Sequence, residues 1–592
     1  MPHAIPSQSK LTISKTERIF PSNHDVTSVE RVVPLSLLDA TTSNFGLTSA
    51  IWLFASPATP TQDNGAHMDF KIITTYLRQC LGMALNSYPQ WCGQVKAITT
   101  LIETELPSET SNFPHHARRF GRLYTHFNTP DDPGVELISA TSSLTVESLY
   151  QSDRTPIWID GATSPSLKAL SPSAHFAKML TPHNFTHKGV INPVLAIQIT
   201  ELSSKGGGRG DFVLAVKAAH PMADITAMVQ FVKHWATLTQ STLSPSNPMV
   251  PLSAEPVFDP SLLDSQAAGN INADKPSPSI ITDAKTPPFH RFDTWIPGTN
   301  YPEDWPSHVP PAFKPQLTQG RLKPTGTPMP WSEWDVTAPV STAVLHFTRE
   351  QVNFLYQKAT TRPPPQPTLK TSKHDALLSH IWTRIVSARN LHPNDHNPIH
   401  CNLVLGVRPA LNLPPTFQGS PIVMVNIAST PSQILADRNP SPTTPNTTTQ
   451  TTNLIRSTIS NITTNKTLLH THLHNLAYET SPQRIWQAFL GNRHIIVTTW
   501  AKAGIYDVDF GLGHGPARYA DGDLPVADGF VLIKEAPPSP RFEGGKELVG
   551  GSGPVVVSSS SWTGKGVDVT VNLKAGDMER LLGDELLLPG RS

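Results

Sequence analysis

The chain has 592 residues, too many for one small core, so two large lobes or a few smaller units are expected. Lysine plus arginine equals aspartate plus glutamate at 46 each, giving no net charge. With no long basic run, that balance excludes the electrostatic footprint of a nucleic-acid or membrane-surface binder.

Residues 1–29 read as a tail. They contain no apolar signal core, and no run in the chain reaches the roughly 18 apolar residues needed to span a bilayer. A cytoplasmic monomer with no metal and no nucleic-acid or membrane partner is the expectation. A first lobe is expected over 30–243. After RVVPLSLLDA, the stretch FGLTSAIWLFASP reads as a strand. Phe70, Ile73, Tyr76, Leu77, Cys80, Leu81 and Ala84 fall on one helical stripe. Residues 193–200 (PVLAIQIT) and Phe212–Ala218 read as two strands joined by the glycine loop of ELSSKGGGRGD. A phosphate cradle needs a helix after its glycines, and here a strand follows, so that reading is rejected. Ile225, Met228, Val229, Val232, Trp235 and Ala236 form the stripe of a second helix.

From 244 to 339 proline is dense enough to block both helix and central strand, and an extended connector is expected. A second lobe follows over 340–592. VLHF reads as a strand, Thr348 opens a helix to about Lys358, and Ser372 with Asp375 makes a capping box. CNLVLGV, HIIVTTW, GFVLIKE, PVVVSSS and DVTVNL read as strands, and AGDMERLLGDELL as a closing helix. A Thr-rich patch near 437–453 reads as a disordered surface insertion. Strands and helices mix without a βαβ rhythm, which predicts an α+β fold with mixed sheets. Cys80, Cys92 and Cys401 have no CxxC spacing, so neither a disulfide scaffold nor a zinc ribbon is expected.

Two stretches carry candidate chemistry. In VKAAHPMADITAMVQF, His220 ends a strand just before a helix amino terminus, whose dipole disfavours imidazolium. A neutral imidazole suits a general base, while a strand-end histidine bonded to backbone is the plain alternative. Asp224 stands where an N-cap belongs, or serves as a buried carboxylate that orders the loop through an arginine. Downstream, a strand ends at Trp500, and Asp509, Phe510, Gly511, Leu512 and Gly513 make a turn. No glycine-rich loop or HRD motif precedes this DFG, so a kinase is excluded. The turn reads as structural: glycines for unusual backbone angles, Phe510 as an anchor, Asp509 bonding amides.

HPMAD followed by DFGLG resembles the BAHD acyltransferases, the coenzyme A-dependent family marked by HxxxD and DFGWG. LSLLD (35–39) is similar to the family's opening strand signature. LRQCLGMALNSYPQWCGQV, SKHDALLSHIWTRIVSAR and GVRPALNLPPTFQGS are similar to its first helix and turn, its second-half helix and its arginine loop. The long, proline-rich form resembles the fungal trichothecene acetyltransferase-like branch. Three departures stand out: Ile225 where glycine is usual, DFGLG for DFGWG, and Gly419-Ser420 for the usual Gly-Asn.

The resemblance implies two chloramphenicol-acetyltransferase-like lobes with mixed β-sheets, flanking helices and an active-site channel between them. It implies His220 as general base in a ternary complex of acyl-CoA, the co-substrate, with a small-molecule hydroxyl or amine acceptor. No permanently bound cofactor is expected. Asp224 would pair with Arg408 to support the site, with Asp509, Gly511 and Gly513 as further structural support. Thr499 and Trp500 would line the channel, Thr499 being the candidate oxyanion donor. A condensation-type enzyme with a carrier-bound donor is the alternative, disfavoured because Ala219 rather than a second histidine precedes His220. A non-catalytic binding protein on the same fold is the other.

Overall fold

The computed structural model describes residues 11–23, 29–56, 68–151, 155–159, 166–173, 192–203, 210–243, 254–296, 309–310, 313–321, 323–361, 369–436, 447–538 and 562–590. The glycine-rich part of the 193–218 hairpin and the expected strand PVVVSSS lie outside the described residues. Two mixed sheets with helices on their faces make an α+β architecture, as expected. The first sheet runs Leu11–Ile19, Val135–Ser142, Leu195–Leu202, Phe212–Ala218, Thr48–Phe54 and Tyr519–Asp521. The second runs Ile422–Ser429, Ile399–Gly406, Ile495–Thr499, Phe530–Glu535, Val567–Lys574, Val340–Phe347 and Ile157–Ile159. Each sheet thus borrows its last strand from the other half of the chain. Tyr519–Asp521 pairs antiparallel with Thr48–Phe54, and Ile157–Ile159 pairs antiparallel with Val340–Phe347.

Helices Phe70–Leu85 and Ile225–Leu243 cover the first sheet, their apolar stripes buried in one core with Trp52 and Phe212. Trp235 sits at the centre of that core, and its indole N–H donates to the Leu77 carbonyl at 3.0 Å, so its polar edge is satisfied. Trp500 and Phe510 from the second half pack into the same core. On the second sheet, helix Lys373–Ala388 buries Leu377, Ile381, Trp382 and Ile385. It begins at the Ser372/Asp375 capping box, and the helix after Thr348 also starts as expected, over Arg349–Thr360. Among the described residues no helix is long and apolar enough to cross a membrane.

Three local expectations differ from the structure. LSLLD is not strand: Leu37–Thr41 is a helical turn, because Ser36 and Asp39 form a capping box that satisfies its first amides. The Thr-rich patch is helical from its described start, in helix Thr447–Thr464. Thr447, Thr449, Thr451 and Thr452 are buried there, and the Ile455, Ile459, Ile462 stripe faces the core. Threonine is a weak helix former, but its hydroxyl can bond the preceding turn, as Thr452 does to the Thr448 carbonyl at 2.7 Å. Arg456 then ties this helix to Asp375 through two hydrogen bonds of 2.7 and 2.6 Å.

The proline-rich 244–339 stretch is also not simply extended where it is described. It holds short helices Ser261–Asp264, Pro278–Asp283 and Lys314–Thr318, and strand Phe292–Asp293 pairs with Ile485–Trp486. Asp293, fully buried, takes Arg484 at 2.6 Å while the same guanidinium lies over the Trp295 ring. Met329 and Trp331 pack with Phe489. Proline prevents long regular elements, yet its neighbours supply aromatic and ionic anchors.

Candidate active site

His220 begins a 3-10 turn, His220–Met222, directly after strand Phe212–Ala218. The turn is held from the neighbouring strand by Thr48, whose hydroxyl donates to the Ala223 carbonyl at 2.6 Å. Asp224 then caps helix Ile225–Leu243 by accepting the Ala227 amide at 3.0 Å. The helix amino terminus therefore points its positive end toward the histidine turn. Ile225 starts this helix without a positive φ, so the turn requires no glycine at that position.

The imidazole edge-packs against Phe45, centroids 5.2 Å apart, and Phe45 packs in turn on Trp486. Burial pushes His220 down to about 4, against a smaller upward pull from Asp224 and from a hydrogen bond to its own main chain. It is neutral at pH 7 by a wide margin. Its Nδ1 lies 3.1 Å from Ser420 Oγ, and the Ser420 hydroxyl donates to the His220 carbonyl.

Asp224 does not act through the imidazole. Arg408 holds both of its carboxylate oxygens, and also bonds the carbonyls of Phe417 and Gly419 at 3.1 Å each. Asp224 and Arg408 come from opposite halves of the chain, so this buried pair locks the histidine turn to the 408–420 loop. Asp39, in the LSLLD turn, accepts the Ser420 amide at 2.6 Å. Burial pushes Asp39 up to about 7, against the lowering effect of bonds from Ser36 and Ser420.

His220 opens onto a cavity of about 350 Å³ lined by both halves. Its apolar wall includes Val404, Met424, Trp486, Phe489, Ile496 and Phe530, and Met329 and Trp334 close it from the 244–339 stretch. Among the described lining residues only His220 and Asp224 carry ionisable side chains. Thr499 and Trp500 line it too, with Thr498 beside them. Thr499 Oγ1 accepts the Ala501 amide at 3.4 Å, which leaves its hydroxyl hydrogen for another acceptor. Cys80, Cys92 and Cys401 are all buried outside this lining, and burial pushes the thiols of Cys92 and Cys401 well up.

The model of the Transferase family matches residues 161–295, which include the whole histidine turn. Acyltransferase AFT15-1 of Alternaria alternata is 25% identical over 424 residues, 71% of this chain and 72% of that protein. Both matches agree with the resemblance to the BAHD acyltransferases that HPMAD and DFGLG carry. The fold is similar to that of F. graminearum TRI101 complexed with ethyl coenzyme A. That match has 16% identity and a TM-score of 0.59, covering 94% of this chain and 98% of that one. Vinorine synthase matches with 15% identity and a TM-score of 0.53, over 97% and 98% of the two chains.

The DFGLG turn stands apart from the cavity lining. Asp509 accepts the Gly511 amide at 2.8 Å, and Gln240 at the far end of the histidine helix donates to the Asp509 carbonyl at 2.6 Å. Gly511 and Gly513 have φ of 69° and 88°, and Phe510 packs edge-on to Trp235. The turn clamps the helix that leads from His220. Sequence reasoning missed Asp39, Phe45 and the Met329–Trp334 wall as parts of the site, and named Ser420 only as a departure from the family pattern. The one local signal was the S-x-x-D capping box around Asp39; the rest is brought in from distant segments.

Proposed function

We propose that this enzyme transfers an acyl group from a coenzyme A thioester to a hydroxyl or amine of a small, uncharged metabolite, with His220 as general base. The observation that carries this reading is a neutral imidazole standing, among the described residues, as the single basic group on the wall of a cavity lined by both halves. Neutral His220 removes the proton from the acceptor heteroatom, which attacks the thioester carbonyl. The tetrahedral intermediate carries an oxyanion, for which the Thr499 hydroxyl is the candidate donor. Collapse breaks the carbon–sulfur bond, and the imidazolium returns its proton to the departing thiolate. No cysteine lines the cavity, so direct transfer in a ternary complex is favoured over an acyl-enzyme.

The aromatic and aliphatic wall offers no partner to a charged group, so the body of the acceptor that rests on it is uncharged and apolar. Binding of coenzyme A and deoxynivalenol by the structurally similar F. graminearum TRI101 is consistent with that division of labour. The test is a panel of acyl-CoA donors against pooled neutral alcohols and amines, read by mass spectrometry together with thiol release. Acylated product with stoichiometric free thiol is expected. Turnover with a carrier-bound donor alone would point to condensation-type chemistry instead.

A further inference from the structure

We infer that Ser420 is a positioning residue that fixes which ring nitrogen of His220 carries the hydrogen, so that Nε2 presents the lone pair. The inference rests on the general-base reading of His220 for its catalytic meaning, but its geometry stands by itself. Ser420 Oγ is within hydrogen-bond distance of two atoms of His220, the main-chain carbonyl oxygen and, at 3.1 Å, Nδ1. A carbonyl oxygen only accepts. The hydrogen in that contact is therefore the serine's, and a serine has only one. Toward Nδ1 the same oxygen can only accept, so Nδ1 must be the donor. A neutral imidazole with its hydrogen on Nδ1 has its lone pair on Nε2.

Ser420 is fixed in this role from both sides. Its side chain is fully buried, and its amide donates to Asp39 Oδ1 at 2.6 Å. The other Asp39 oxygen accepts the Ser36 amide and hydroxyl at 3.1 and 2.6 Å. The preceding carbonyl, of Gly419, accepts the Asp224 amide and an Arg408 N–H, each at 3.1 Å. The Gly419–Ser420 peptide is thus gripped at its N–H by one half of the chain and at its C=O by both. Gly419 has φ of 125°, and a side chain there would meet Asp39 Oδ1 at 2.7 Å. Only glycine lets the serine arrive beside the histidine. The position where the family pattern has asparagine is therefore occupied by a residue small enough to bridge the ring and carbonyl of one histidine.

A tautomer measurement separates this role from plain packing. In full-length protein labelled with nitrogen-15 histidine, the His220 signals are identified by their loss in H220A. At pH 7.5 they should report Nδ1–H and a bare Nε2. In S420A the populations should shift toward Nε2–H, and kcat should fall about tenfold or more with little change in KM, since a smaller share of the enzyme presents the basic nitrogen. S420T, which keeps the hydroxyl, should restore both. If S420A fails to fold, S420C fills the same volume with a feeble acceptor and serves in its place. A wild-type ring protonated on Nε2, or folded S420A or S420C with unchanged tautomer and turnover, overturns the proposal. Full turnover by H220A would sink the general-base reading instead, and leave the tautomer result standing.

Discussion

Arg408 grips both carboxylate oxygens of Asp224, at 2.5 and 2.9 Å, across the boundary between the two halves of the chain. Both side chains are buried, and among the described residues neither forms a second ion pair. Removing one charge leaves the other stranded in a low-dielectric site. Asp224→Asn or Arg408→Met should each cost about 3–5 kcal/mol of stability. Replacing both together with apolar residues should recover much of that loss. Urea unfolding of the two single variants and the double variant measures the coupling; a fully stable and active Asp224→Asn enzyme would remove the pair from the account.

Acyl transfer should depend on neutral His220. His220→Ala should lower turnover by about 10²-fold or more while the circular dichroism spectrum stays unchanged. Because burial holds the imidazole at about 4, the active form persists as pH falls through 6.5 and is lost only as pH approaches 4. The acid limb of kcat/KM in the free enzyme should therefore bend well below the ordinary histidine range. A bend near 6.5 in undenatured enzyme would contradict the buried, neutral ring.

Stability should carry an acid liability of the same origin. Burial holds His234, His290 and His380 down to about 4, His472 to about 3 and His494 to about 2. Each stays neutral when folded and takes a proton when unfolded, so its contribution is full above 6.5 and lost as pH falls toward the folded value. His400 also meets His290 edge-on at 4.6 Å and His494 at a tilt at 4.8 Å, so protonating one opposes the next. Thermal unfolding should shift to lower temperature between pH 7.5 and pH 5. An unchanged midpoint across that interval would argue against neutral burial of this group.

Trp334 should set the size of the group the cavity accepts. It closes the apolar wall and packs edge-on against Phe489 at 5.7 Å. Trp334→Ala should raise KM for the native acceptor about tenfold and improve kcat/KM for a bulkier one, with Trp334→Phe in between. Competition between a small and a large acceptor in one reaction gives the ratio directly. An identical ratio in all three enzymes would remove Trp334 from specificity.

Much of the fold was legible because its signals are local. The stripe from Phe70 predicted helix Phe70–Leu85, and capping residues placed the starts at Thr348 and Ser372. HPMAD and DFGLG could be read as short motifs for the same reason. What stayed hidden depends on distant partners. The buried threonines of Thr447–Thr464 become helical by packing, against weak intrinsic preference. Ser420 acquires its role only because a loop 200 residues later in the chain returns to His220. Met329 and Trp334 sit among prolines that suggested a connector lying by its aromatic residues on the lobes, and the wall they complete exists only once Phe489 arrives.

The exchanged sheet edges bear on how the chain can be cut and assembled. Tyr519–Asp521 lies on the first sheet, and Ile157–Ile159 on the second, so each half holds a strand that the other needs. A single protease nick between the halves should leave two fragments that remain associated until denaturant is added. Separately expressed halves, by contrast, should each present an unpaired edge and a stretch of bare core, which favours aggregation. The strand from 519–521 must cross nearly the whole chain to find Thr48–Phe54, so its docking belongs among the late steps of folding. The cavity, which needs both halves, would close only then.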